Sequence, residues 1–151
     1  MKAITIHTTG QPDVLQVEDV AKPGISSPTD VLVKLHAAGV NPIDTKLRSG
    51  AYPIEPLPTI LGCDGAGVIE SCGEQVQQFK AGDAVYFFHG GLSGIQGNYA
   101  EYIVLDERFV AHKPDSLEFI QAAAAPLVCL TAWESLFDRA SVANGDTVLI
   151  Q

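Results

Sequence analysis

Two neighbouring stretches, AAGVNPIDTKLRSGAYP at 37–53 and LPTILGCDGAGVI at 57–69, decide how this chain is read. The first leaves a strand through Ala37-Ala38-Gly39-Val40 and enters Asn41-Pro42-Ile43-Asp44. Pro42 suits the first turn of a short helix running to Arg48, because its missing N–H would find no intrahelical partner there anyway. Gly50, Pro53, Pro56 and Pro58 then make an extended connection. The second stretch is an apolar approach, Leu57 to Leu61, followed by Gly62-Cys63-Asp64-Gly65-Ala66-Gly67-Val68. From Gly65 to Gly73 it reads as a strand ending in a turn. Gly62, Gly65 and Gly67 imitate a dinucleotide fingerprint. Their order is reversed, they precede a strand, and no helix N-terminus follows, so the contextual test fails. Close backbone packing beside a site is the better reading of these glycines.

Working outward, strand-like alternation recurs over Lys2–His7, Leu15–Val20 and Asp30–Ala38. Pro23-Gly24-Ile25-Ser26-Ser27-Pro28 is a loop by its turn chemistry. Lys80-Ala81-Gly82-Asp83 is a turn before a strand from Ala84 to Phe88. A glycine-rich loop, His89-Gly90-Gly91-Leu92-Ser93-Gly94, leads through Gly97-Asn98 to a strand from Tyr99 to Leu105. Short strands separated by turns at this spacing predict a mostly β domain with short helices, a small barrel or sandwich. The pattern changes after Asp115. A helical stretch covers Phe119 to Ala125, and Pro126 opens a second helix to about Ala140. There Leu130, Trp133, Leu136 and Phe137 fall at helical spacing and are expected in the core. Asn144-Gly145-Asp146 is a turn, and Thr147–Gln151 reads as a buried-type strand.

The 151 residues are 46% hydrophobic and only 18% charged, which is enough apolar material for one packed domain and excludes a charge-solvated chain. A net charge of −9 with no basic stripe argues against nucleic acid and against an anionic membrane surface. No apolar run reaches the length of a bilayer span. The opening Met-Lys-Ala-Ile-Thr-Ile-His alternates like a strand rather than a signal peptide. Cys63, Cys72 and Cys129, three at irregular spacing, make no disulfide framework, and a reducing cytoplasm is the expected home.

Together, the two opening stretches resemble the catalytic domain of the medium-chain dehydrogenase/reductase superfamily. Zinc-using members have a Cys where this chain has Asn41, His-Glu where it has Cys63-Asp64, and a Cys at Leu127. A catalytic zinc needs about three protein ligands and an open position, and Asn41 and Leu127 are not ligands. The four-cysteine lobe of some relatives is absent too. The resemblance is therefore to the zinc-independent quinone oxidoreductases, the zeta-crystallin-like branch. It implies a GroES-like, partly open β-barrel over 1–125. Residues 126–151 would then be a connecting helix and the first strand of a nucleotide-binding fold whose phosphate-binding turn follows the chain's end. It further implies NADPH, no zinc, a quinone or α,β-unsaturated carbonyl substrate, and a homodimer. A fragment lacking the pyrophosphate site is expected to be inactive alone. Two rivals remain: a zinc alcohol dehydrogenase using Cys63 with unusual ligands, and a GroES-like binding domain without catalysis.

On this resemblance Asn41 hydrogen-bonds the substrate carbonyl, or the ribose or carboxamide of the cofactor; read alone, it is a turn residue before Pro42. Asp44 either orients the site or braces its loop. Lys46 stands where these relatives often have Tyr, ahead of the shared Arg48-Ser49-Gly50-x-Tyr52-Pro53 run. Lys46 or Tyr52 would donate to a developing oxyanion, or each is simply a loop residue. Thr131, in Leu130-Thr131-Ala132, would lie near the nicotinamide, or back-bond within its helix. Cys63 is read as a small apolar filler and Cys129 as helix packing. His89 is a possible acid/base or wall residue; His7, His36 and His112 look structural.

Overall fold

Antiparallel strands make up most of the regular secondary structure in the computed structural model, which describes residues 1–92 and 94–150. Ser93 of the expected glycine-rich loop and Gln151 of the expected final strand lie outside the described residues. A three-stranded sheet has the order β2-β1-β4, from β1 (Lys2–Ile6), β2 (Gln16–Asp19) and β4 (Thr59–Ile60). A five-stranded sheet has the order β7-β3-β5-β6-β8. It contains β3 (Asp30–Ala38), β5 (Asp64–Cys72), β6 (Ala84–Phe88), β7 (Tyr102–Asp106) and β8 (Val110–His112). Both β6 and β7 alternate buried with half-buried residues, the period-two signature of a strand with one face on the core.

Val31, Val33, Ile69, Val85, Phe87, Ile103 and Leu105 form the main core of the larger sheet. The residues between Gly97 and Glu101 stitch the two sheets together. The Tyr99 carbonyl accepts from the Ile4 amide at 2.7 Å, and the Glu101 carbonyl from the Leu35 amide at 2.9 Å. The Tyr99 amide donates to the Leu61 carbonyl at 3.0 Å. The mostly β expectation holds, as two sheets rather than a closed barrel.

The glycines of 62–67 do what close packing requires. At Gly67 a Cβ would lie 2.1 Å from the Lys34 carbonyl oxygen of the neighbouring strand, where backbone cannot give way. Gly62 has φ +99° and lies under the Tyr99 ring, so a side chain there is excluded twice.

Helix α1 (Pro42–Ser49) starts at Asn41 as its N-cap with Pro42 in its first turn, and ends at Gly50, whose φ of +83° supplies the left-handed cap. Leu47 anchors it against Ile6, Ile54 and Leu61. A short α2 (Phe119–Ala123) presents Ala122 and Ala123 to Ala66 on β5. Next comes α3 (Pro126–Trp133), which continues into a π-helical turn over Glu134–Arg139.

Here the structure corrects two expectations. Leu130, Trp133 and Phe137 are 53%, 60% and 47% exposed, not core, and Leu136 is only half-buried. Helical spacing says which residues share a face but not that an opposing surface exists; Trp133 and Phe137 mainly pack on each other, with ring centroids 4.6 Å apart. Thr147–Ile150 belongs to neither sheet, because a strand needs a ladder partner and no described strand runs beside it. Cys129, on the same helix, is exposed as well.

Candidate active site

The N-terminus of α1, the start of β5 and the first turn of α3 converge on a small buried polar cluster. Asn41 and Asp44 form a reciprocal capping box, in which the Asn41 backbone amide donates to Asp44 Oδ2 at 2.8 Å. Tyr99 donates its hydroxyl to the same Oδ2 at 2.9 Å, and the Cys63 thiol lies 3.8 Å from Asp44 Oδ1. Asp64 opens β5. Its Oδ2 accepts from Asn41 Nδ2 at 2.9 Å and its Oδ1 from the Leu127 backbone amide at 3.0 Å. Asn41, Asp44, Cys63 and Asp64 are all buried. Asn98 sets the neighbouring loops: its Nδ2 donates to the carbonyls of Gly62 and His89.

The electrostatics follow from this burial. Desolvation raises the Asp64 pKa; its hydrogen bonds from Asn41 and Leu127 oppose that shift, and the nearby Asp44 charge adds to it. Burial, reinforced by Asp44 and Asp64, pushes the Cys63 thiol up to about 12. Tyr99 is pushed well above the usual phenol range by burial and by Asp44. Near neutral pH Cys63 is therefore a thiol and Tyr99 a donor.

The structure brings some of the expected site residues together and leaves others apart. Asn41 and Asp44 are in direct contact. Lys46 and Tyr52 form a separate exposed pair, with Lys46 Nζ 5.3 Å from the centre of the Tyr52 ring. Thr131 is exposed on α3 and donates to the Leu127 carbonyl at 2.8 Å, the back-bond expected of a helical Thr. It connects to Asn41 only through Leu127 and Asp64. His89 is half-buried, stacked on Phe109 at 4.6 Å, and burial lowers its pKa. His7 pairs with Glu18, and His36 and His112 stack on Phe119 and Phe79.

Sequence reasoning missed Asp64 and Tyr99 as members of the cluster. Asp64 had a signal, since the resemblance sets it at the Glu of the zinc-using members' His-Glu pair. Tyr99 had none, because a hydrogen bond across 55 positions leaves no local trace.

The donor set does not suit zinc. One Nδ2 hydrogen of Asn41 is engaged by Asp64, the Leu127 side chain has no donor atom, and Cys63 alone is a single soft ligand where about three are needed. Among the described residues no group of three His, Cys, Asp or Glu is arranged to hold a metal ion.

Beside α3 lies an open apolar groove of about 660 Å³, walled by Phe88, Phe109, Leu117, Pro126, Leu130 and Trp133. No described helix is long and apolar enough to cross a membrane.

Residues 27–115 match the alcohol dehydrogenase GroES-like domain, and the chain belongs to that family. The expectation drawn from Asn41–Asp44 and Gly62–Val68 is met. Among curated relatives, the chain is 41% identical over 152 residues to the quinone oxidoreductase of Homo sapiens, covering 99% of this chain and 45% of that protein. It is also 41% identical over 157 residues to the 2-methylene-furan-3-one reductase of Solanum lycopersicum, covering 99% and 40%. Escherichia coli quinone oxidoreductase, solved in complex with NADPH, superposes with a TM-score of 0.80 at 34% identity, covering 90% of this chain and 40% of that one. The chain thus spans less than half the length of these relatives.

Proposed function

We propose that this chain is the substrate-side part of an NADPH-dependent oxidoreductase that reduces a quinone or an α,β-unsaturated carbonyl without a metal. In this reading residues 1–125 form the substrate domain, and 126–151 lead into a nucleotide-binding part that covers α3. The observation that carries it is the hydrogen-bonded set Asn41–Asp64–Leu127, which joins two of the positions, Asn41 and Leu127, where the resemblance sets zinc ligands. An apolar α3 lying exposed supports the second clause, since a helix apolar on all sides belongs against other protein surface. Free Cys63, Cys72 and Cys129 agree with a reducing cytoplasm, and the same reading includes a homodimer.

The nicotinamide cofactor, when bound, supplies the hydride. What the chain supplies is a fixed donor for the oxygen that gains charge. Asn41 gives one Nδ2 hydrogen to Asp64, and its other Nδ2 hydrogen has no acceptor among the described residues. That N–H stabilises the developing oxyanion, an interaction most useful in a site without water. Asp44 holds the Asn41 backbone in the capping box. The hydroxyl of Tyr52 or solvent delivers the proton, and Lys46, 5.3 Å from the centre of the Tyr52 ring, is the other candidate donor to the oxyanion. The exposed Thr131, its hydrogen given to the Leu127 carbonyl, keeps both hydroxyl lone pairs to accept from the cofactor.

In the enzyme carrying both parts, Asn41→Ala is expected to lower kcat/KM by about 30- to 1,000-fold, the scale for losing one oxyanion donor. Both a quinone and an enone should show the loss in NADPH-dependent steady-state kinetics, and elemental analysis should find no stoichiometric zinc. Near-native rates on both substrates would reduce Asn41 to a helix cap. One zinc per chain, lost on Cys63→Ser, would restore the zinc alcohol dehydrogenase reading.

A further inference from the structure

We propose that Asp64 is a positioning residue: it fixes which face of the Asn41 amide meets the substrate and ties α1 to α3. The proposal rests on Asn41 acting as the oxyanion donor. A carboxylate has only acceptors to offer. Asn41 must therefore turn Nδ2, not Oδ1, towards Asp64 Oδ2, 2.9 Å away. Reversing the amide would set oxygen against oxygen in a buried site and break the capping box with Asp44. Asp64 cannot slide away to relieve this. It is 1% exposed, it lies so near the Gly39 backbone that a Cβ there would come within 2.9 Å of its own, and its other oxygen is held by the Leu127 amide. Among the donors of Asn41, only the second Nδ2 hydrogen is left to a ligand.

The same carboxylate sets the relation between two elements with different jobs. Oδ2 reaches the N-cap of α1 and Oδ1 the first turn of α3, where a negative charge is favoured by the helix N-terminus. Thr131 follows one turn later on α3, its hydroxyl on the Leu127 carbonyl. Removing the carboxylate should loosen the register between Asn41 and α3, and not only the amide.

Two variants separate positioning from bulk stability. Asp64→Asn puts an N–H against Asn41 Nδ2 or against the Leu127 amide, which one side chain cannot avoid. The double swap Asn41→Asp/Asp64→Asn reverses the polarity of the pair, so position 64 donates to position 41 and still accepts from Leu127. It keeps both hydrogen bonds and the net charge but removes the donor facing the substrate.

In this 151-residue chain, Asp64→Asn should shift the Asn41 side-chain amide signals in ¹⁵N-¹H spectra and lower the thermal midpoint by about 5 °C. The swap should recover most of that midpoint. In the enzyme carrying both parts, Asp64→Asn should lower kcat about 10- to 100-fold with the quinone KM nearly unchanged. The swap should keep that rate loss despite its recovered stability. Unchanged amide signals and kcat in Asp64→Asn, a swap that restores kcat, or a swap that fails to recover stability would each overturn the proposal. If Asn41→Ala proves harmless, the functional reading itself fails; if Asn41→Ala is damaging and Asp64→Asn harmless, only this inference does.

Discussion

The start of α1 and the end of α3 treat their side chains in opposite ways. Around Asn41, two acidic residues are buried, and both oxygens of each meet a donor on another part of the fold. Around Trp133, large apolar side chains stand in the open, and Leu149 and Ile150 beyond them are more than 80% exposed. The first region is complete within these residues. The second has the composition of an interior without the surface that would make it one. Buried polar groups carry a large penalty when unpaired, so a finished polar cluster shows that local folding is settled there. Exposed apolar surface carries a milder penalty and is tolerated until something covers it. This difference is why the α1 end is a finished polar cluster and the α3 end points to the proposed second part.

The largest effect should come from the complete region. Gly67→Ala places a methyl 2.1 Å from the Lys34 carbonyl at the junction of β3 and β5. Those strands form the centre of the larger sheet, so the misfit cannot be relaxed by a loop. We expect a loss of about 3 kcal/mol or more, read as the shift in urea midpoint at constant slope. A near-native midpoint would mean the strand junction is looser than its geometry.

How much of this was legible in the chain depends on range. Asp30–Ala38, α1 with Pro42 in its first turn, and β5 were readable from alternation, a proline and clustered glycines, all local signals. The family could be read from Asn41–Asp44 and Gly62–Val68 for the same reason. The brace was not legible. Asp64 meets Leu127 across 63 positions and Tyr99 meets Asp44 across 55, so nothing in the local pattern marks either pair. Leu130, Trp133 and Phe137 misled in the other direction. Their spacing is that of a core face, but a face becomes core only against a partner.

Alkaline pH tests the cluster next. A pKa raised in the folded state means that the unfolded chain loses its proton first, so stability falls as pH climbs past the unfolded value. For Cys63 that window runs from about 9 to about 12. By pH 10.5 the thiol alone should remove about 2 kcal/mol, at 1.36 kcal/mol per unit, and Tyr99 adds to the fall at higher pH. Chemical denaturation between pH 8 and 10.5 should show a decline that flattens in Cys63→Ala. An unchanged slope in that variant would place the titrating group elsewhere.

Tyr99→Phe should have a smaller effect at neutral pH. It keeps the ring over Gly62 and removes only the hydroxyl on Asp44 Oδ2. The Asn41 amide still donates to that oxygen, so the buried carboxylate is not stripped bare. A loss of about 1–2 kcal/mol is expected, measured by thermal or urea unfolding. A loss no greater than that of an exposed Tyr, such as Tyr52→Phe, would show that Asp44 relies on its backbone partner alone.

The smallest effect in this chain should come from its largest exposed side chain. Trp133 is 60% exposed, and its aromatic neighbour, Phe137, is itself nearly half exposed. Truncation opens no sealed cavity, so the transfer and cavity penalties that make a core Trp costly to remove do not apply. Trp133→Ala should change the stability of the 151 residues by less than about 0.5 kcal/mol. In the enzyme carrying the nucleotide-binding part, the same change should cost about 3 kcal/mol, as a buried aromatic does. The comparison needs two unfolding curves per protein, one for each variant, at equal concentration. A large loss in the short chain would mean that Trp133 is already packed. A negligible loss in the longer protein would mean that the second part does not cover α3, and the groove at Phe109 and Leu130 would then need another explanation.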